Sequence, residues 1–215
     1  MSGHSKWSTI KRQKGATDAK RGAVFTKLAN AITIAIKNNH NPSTLIEKAK
    51  AANMSKDNIQ RAIDRGSNKN SENALTEAIF EGFGPMGAAI IVETVSDNTT
   101  RTANELRNIF TKHNGHLGVP GSVSYLFARV GEIENETLEK ALEVGALDFE
   151  DEILYTKPED LHRVSELLNK PGRLIFRPNK ETMIKLEDPS KLHELLEAID
   201  ELDDVQEVYT NAEDS

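Results

Sequence analysis

The sequence predicts an α+β protein, with an N-terminal three-helix domain followed by two α/β sandwich domains, the third inserted within the second. Three observations carry that expectation. Residues 17–66 hold three successive runs of apolar residues at helical spacing, each closed by Asn, Pro or Gly. After residue 74 strand-like runs alternate with short helices. The last such run, Val205–Tyr209, has no sequence neighbour to pair with, and a lone strand needs a sheet. Residues 179–215 are therefore expected to return to the sheet begun after residue 74. The division becomes 1–70 for a basic arm and helical domain, 71–129 plus 179–215 for one α/β domain, and 130–178 for the inserted α/β domain.

Each element has its own justification. Residues 1–16 contain two glycines and little periodicity, and read as an arm. From Thr17/Asp18 to Lys37 the residues Val24, Phe25, Leu28, Ile32 and Ile36 recur at helical spacing, and Asn38–Pro42 ends the helix. A second helix is expected from Pro42–Thr44 to Ala52, with Thr44 and Glu47 spaced as a capping box and Pro42 as the rival first-turn signal. Ser55 is placed to cap a third, carrying Ile59, Ala62 and Ile63 and ending at Gly66, before a polar linker, Ser67–Asn73.

"LTEAIFEGFGPMGAAIIVETVSD" reads as two strands around a Gly/Pro turn, the second apolar enough to be central. Thr102 and Glu105 form a capping-box pair before Leu106, Ile109 and Phe110, and "GSVSYLF" reads as a strand with Val123, Tyr125 and Phe127 on one face. The insertion is expected to run strand (Gly131–Glu134), helix (Glu136–Val144), strand (Ile153–Thr156), helix (Pro158–Leu168), strand (Arg173–Arg177). The tail gives strand, helix, strand, the helix burying Leu192, Leu195, Leu196, Ile199 and Leu202.

Charge is unevenly divided. The chain carries −7 overall, yet residues 1–69 hold fourteen Lys/Arg against four Asp/Glu, net +10, leaving −17 on residues 70–215. A locally positive surface recruits polyanions even on an acidic protein. The arm supplies His4, Lys6, Trp7, Lys11, Arg12 and Lys14, continued by Lys20, Arg21 and Lys27 on the first helix and by Lys56, Arg61 and Arg65 on the third. Each Lys or Arg on a phosphate releases counterions, so about five contacts imply a salt slope near −4 to −5. Trp7 can anchor on the helical domain or stack on an unpaired base. Arg101, in "DNTTRT" before a helix N-terminus, is a further anion-binding candidate.

Other chemistries fare poorly. No cysteine is present, which removes disulfides, thiolate zinc sites and Cys nucleophiles. "EGFGPMG" lacks the lysine ending of a phosphate loop and reads as a hairpin turn, while His113 and His116 lack a carboxylate or Cys partner for a metal. No catalytic constellation, cofactor motif, secretory leader or membrane span is found, and the basic, Lys- and Gly-rich start suggests a cytoplasmic protein.

Several stretches, in order from Gly3 to Asn211, resemble the YebC/PmpR family: "GHSKW", "KRGAVFTKL", "IEKAKAANMSKDNIQRAI", "EGFGPMGAAIIVE", "SDNTTRT", "GSVSYLF" and "DDVQEVYTN". The resemblance implies the same three-part topology and a nucleic-acid partner. That partner is promoter DNA in the family's transcriptional regulators, or ribosomal RNA and the ribosome in its mitochondrial translational activators. Departures from the family pattern are a short "NNHNPSTL" without the expected Arg, Ser55 for a frequent Pro, and Met86 within a glycine pair. The expected function is thus a non-enzymatic, DNA-binding transcriptional regulator. The alternatives are a ribosome-associated translation factor and an acidic protein-interaction scaffold. No membrane or small-molecule partner is implied.

Overall fold

The computed structural model describes residues 18–67 and 75–214. Three helices open it, α1 (Asp18–Lys37), α2 (Ser43–Ala51) and α3 (Lys56–Ser67). Their apolar faces meet at Ile32, Ala49, Met54, Ile59 and Ala62. At Gly66 a Cβ would lie 2.5 Å from the Thr33 carbonyl oxygen and 2.7 Å from the Ile36 Cβ, so α1 and α3 approach more closely than a side chain allows. The buried Thr33 hydroxyl donates across the same crossing to the Ala62 carbonyl, 3.0 Å. Gly66, expected to terminate the helix, is instead its contact residue, and α3 continues to Ser67.

Ser55 caps as expected, its Oγ accepting from the Asn58 amide at 3.3 Å. The Thr44–Glu47 box does not form. Asn41 Oδ1 accepts from the Ser43 amide (3.0 Å) and hydroxyl (2.6 Å), so the turn before α2 is made one step earlier, and Thr44 already lies inside the helix.

The remaining elements are β1 (Thr76–Phe83), β2 (Ala89–Ser96), α4 (Thr99–Lys112), β3 (His116–Leu117), β4 (Phe127–Ile133), α5 (Leu138–Glu143), β5 (Asp148–Glu150), β6 (Ile153–Thr156), α6 (Leu161–Leu168), β7 (Arg173–Pro178), β8 (Ile184–Leu186), α7 (Ser190–Asp200), β9 (Val205–Thr210) and β10 (Ala212–Asp214). One sheet runs β3-β1-β2-β9 and the other β5-β6-β4-β7, with β8 and β10 a separate parallel pair. All pairings within the two larger sheets are antiparallel. The last strand does return to the first sheet, beside β2, and the second sheet is built wholly from residues between those strands.

β2 explains the layering. Ile90 and Val92 face α4 and α7, meeting Leu106, Phe110, Leu195 and Ile199, while Ala89 and Ile91 face the second sheet at Val123, Phe127, Tyr155 and Ile175. A strand covered on both sides must be apolar at successive positions, which is the run the sequence displays. α5 and α6 cover the far face of the second sheet through Ala141 and Val164 on Ile133 and Leu154.

Five helices end alike. Asn39, Asn53, Asn114, Gly145 and Asn169 take positive φ just past α1, α2, α4, α5 and α6. In each, the next amide bonds back to the carbonyl five residues earlier, as from His40 to Ala35 and from Met54 to Ala49. This Schellman closure needs a residue tolerant of the left-handed region, and Asn is the usual choice after Gly.

Elsewhere the structure shifts expectations. α4 starts at Thr99, capped by Asn98 Oδ1 on the Arg101 amide (3.0 Å), because the Thr102 hydroxyl is buried and bonds Asp204 and Ser96 instead. Ser124–Leu126 forms a 3-10 turn, turning Tyr125 outward between buried Val123 and Phe127, and β4 begins at Phe127 rather than near Gly131.

The β1–β2 hairpin turn is present, with exposed Met86 at φ 57° and Gly87 at φ 80°. A left-handed non-glycine residue costs about 1–2 kcal/mol, and glycine's extra unfolded freedom offsets about half of that. Met86→Gly is therefore expected to stabilise by roughly 0.5–1 kcal/mol, read as a higher urea midpoint at unchanged slope.

Candidate nucleic-acid interface

His4, Lys6, Trp7, Lys11, Arg12 and Lys14 lie outside the described residues; Lys20 and Arg21 fall in the first turn of α1. The remaining expected cations separate into two groups.

Lys56, Arg61 and Arg65 are exposed on α3. Arg61 and Arg65, one turn apart, border a shallow groove of about 280 Å³ between α1 and α3. Its polar rim includes Asn58, and its apolar wall comes from Phe25, Ala29 and Met54. Position 21 lies one turn before Phe25 on the same helix. The i, i+4 spacing of the arginines was legible in the sequence, but the Phe25 and Asn58 walls were not, because they need the α1–α3 crossing.

Lys27 and Arg101 behave differently. Lys27 Nζ donates to the Asp200 carbonyl oxygen and pairs with its carboxylate at 3.0 Å, with the side chain only 13% exposed. It ties α1 to the end of α7, so its seven-residue spacing from Lys20 does not mark an exposed cation track. Arg101 is held between Asp97 (3.0 Å) and Asp204 (2.9 Å), at a crevice whose other walls include Glu105, Glu201, Asp203 and, from α3, Arg65. An incoming phosphate would meet carboxylates there. The anion-binding expectation for "DNTTRT" is corrected on that ground.

Arg129, Arg173 and Arg177 of the body are likewise paired with carboxylates. Arg129 pairs with Glu93 at 2.6 Å and lies over Phe176, and Arg177 pairs with Asp148 and Glu150 over the Tyr155 ring. Arg173 pairs with Glu132 (2.7 Å) and Glu207 (3.3 Å); burial disfavours its charge, but those carboxylates outweigh it and raise its pKa. These ion pairs leave the α/β body a predominantly acidic exterior.

A larger cleft of about 1020 Å³ separates α1 and α2 from the sheet edge. Its near wall combines Val24, Leu28 and Leu45 with His40 and Lys48, and its far wall carries Glu93, Glu197 and Glu207. Sequence reasoning missed this feature, since its walls are up to 186 residues apart (Ala23 to Tyr209).

No cluster of metal-ligating side chains occurs among the described residues, and His116 stacks on Phe83 instead. No described helix is long and apolar enough to cross a membrane.

A helical segment docked on two antiparallel sheets, one completed by a strand from beyond the other, defines the class. The chain belongs to the TACO1/YebC family. The model of the TACO1/YebC protein N-terminal domain matches residues 5–69, and that of the TACO1/YebC second and third domain matches residues 75–212. A relative from Rubrobacter xylanophilus is 44% identical over 98% of this chain and 95% of its own. Another from Aquifex aeolicus is 43% identical over 99% and 96%; both bear the name probable transcriptional regulatory protein. The crystal structure of a conserved hypothetical protein from Aquifex aeolicus superposes with a TM-score of 0.82 at 39% identity, covering 98% of each chain.

Proposed function

We propose that the protein is a regulator of gene expression that binds a nucleic-acid backbone through its arm and three-helix segment, most directly as a DNA-binding transcriptional regulator. The carrying observation is the charge division. The N-terminal segment holds net +10, with Arg61 exposed at the α1–α3 groove, while Arg101, Arg129, Arg173 and Arg177 are paired to carboxylates. Phosphate is attracted to the first surface and repelled by the second, so the acidic body orients the molecule. The relatives' name supports the regulatory role.

The DNA reading gains from the α2–α3 connection. Four residues, Ala52–Ser55, join the helices with Asn53 in the left-handed region, a turn length typical of helix-turn-helix units. A second reading, binding to ribosomal RNA as a translation factor, gains from the groove. A half-buried phenyl ring flanked by two guanidinium groups suits an unstacked base.

One comparison at matched, near-physiological salt separates them: ribosome co-sedimentation against promoter-fragment retardation. Site-selective retardation without co-sedimentation is the DNA result. Salt-resistant co-sedimentation with only sequence-blind DNA binding overturns it in favour of RNA. Arg61→Glu with Arg65→Glu is expected to weaken binding in whichever assay responds, by about tenfold or more, and to flatten the salt slope by about two.

A further inference from the structure

We propose that the cleft between α1 and the α/β body is the resting site of the chain's own N-terminal arm, residues 1–16, which leaves it when a phosphate backbone competes for the same cations. The release step rests on the nucleic-acid reading above; the docking step does not.

The chemistry of the two surfaces is complementary. Six carboxylates line the cleft against three Lys/Arg; Asp200, Glu93 and Glu207 are paired with Lys27, Arg129 and Arg173, and Glu197 on the last turn of α7 and Glu201 just past it extend the acidic wall. The opposite wall is largely apolar, exposing Val24 (39%) beside Leu28 and Leu45 with Lys48 at its α2 end, and Leu174 (40%) of β7 adds an apolar residue on the body's side. The arm contains Lys6, Lys11, Arg12 and Lys14, no acidic residue, and the apolar pair Trp7 and Ile10. A cationic segment with a large aromatic matches a site with one acidic wall and one largely apolar wall.

Connectivity makes the match intramolecular. The arm enters α1 at Asp18, and the cleft begins at Ala23, about 8 Å further along the helix. Sixteen residues span up to roughly 50 Å when extended, so the arm reaches the whole cleft at high effective concentration. Fixing each residue in one conformation costs entropy, so the docked state is shallow and reversible. Phosphates pair with the same Lys and Arg without an apolar anchor, so a polyanion displaces the arm rather than joining it.

Trp7 is the only tryptophan, so its fluorescence reports the arm in the intact protein. Docking predicts blue-shifted emission and an acrylamide quenching constant severalfold below that of the urea-unfolded chain. Glu197→Lys with Glu201→Lys is expected to raise that constant toward the unfolded value, with circular dichroism unchanged. Unprotected Trp7 in the wild type overturns the docking, as does protection that survives the charge reversal, which means packing elsewhere on the helical domain. Protection that rises with protein concentration also overturns it, because the cleft would then hold the arm of a second copy.

Release is tested with an uncharged variant, Val24→Ser with Leu174→Ser, which keeps every cation. It should expose Trp7 and tighten binding to a duplex DNA or single-stranded RNA oligonucleotide severalfold. Exposed Trp7 with unchanged affinity overturns the competition alone. Absence of oligonucleotide binding by any form removes the nucleic-acid reading while leaving the docking result standing.

Discussion

Deletion of residues 1–16 is expected to lower affinity for a nucleic-acid backbone by about four orders of magnitude at ~0.1 M salt, and to flatten the salt slope from about −4 or −5 to about −1. The deletion removes Lys6, Lys11, Arg12 and Lys14. Each phosphate contact contributes about 0.9 to the slope and roughly a decade of affinity at that salt. What remains is the groove on α3 bordered by Arg61 and Arg65, which on the proposed reading would hold a backbone weakly. Among the described residues the core contacts of α1 are made at Phe25 and beyond, and the thermal midpoint of the truncated chain checks that this packing is kept. Fluorescence anisotropy of a labelled oligonucleotide across a salt series reads both quantities. A truncated protein with the wild-type affinity and slope would make the acidic body the working surface, as the scaffold alternative requires.

The fold was legible wherever one strong local signal had a single physical meaning. The apolar run at Ala89–Ser96 has to be central, because only a doubly covered strand tolerates it, and the unpaired Val205–Thr210 has to return beside it. Signals with two meanings failed. Thr102 is spaced for a capping box, yet Asp204 lies 102 residues downstream and captures its hydroxyl at 2.6 Å. Gly66 reads as a terminator or as a close contact, and only the partner helix decides. β3, β5 and β10 hold two or three residues each, too few for any periodicity. The candidate site divides in the same way. Lys27, Arg61 and Arg101 are equally basic in sequence, but carboxylates from α7 and the turn before β9 neutralise Lys27 and Arg101. Long-range charge pairing thus separates the two groups.

Glu81→Ala is expected to destabilise the protein by about 3–5 kcal/mol, the larger part from three amides left without an acceptor. Glu81 is buried on β1, and its carboxylate accepts from the amides of Gly121 (2.8 Å), Val123 (2.7 Å) and Ser124 (2.8 Å). Its carbonyl also accepts from the Gly118 amide at 2.8 Å, so one residue holds the loop that leads from the first sheet into β4. Burial alone would raise its pKa, but the bonds from Val123, Gly121 and Ser124 outweigh burial and set it below the ordinary 4.5.

A carboxyl group with a depressed folded pKa stabilises the native state above its unfolded pKa. That contribution is lost as pH falls through the folded value. Asp204 acts in the same direction: burial opposes its charge, but donors from Thr102, Arg101 and Ser96 prevail. The native state should therefore lose stability steeply below about pH 4. Glu81→Gln separates charge from shape, since the amide keeps one acceptor but turns two N–H groups toward a cluster of N–H donors. Its penalty against wild type is expected to be largest near pH 7 and to shrink as the wild-type carboxylate becomes protonated. Urea denaturation of both proteins at pH 7 and near pH 3 measures that difference. A penalty that stays constant with pH would assign the loop's attachment to the shape of the side chain, with its charge contributing nothing.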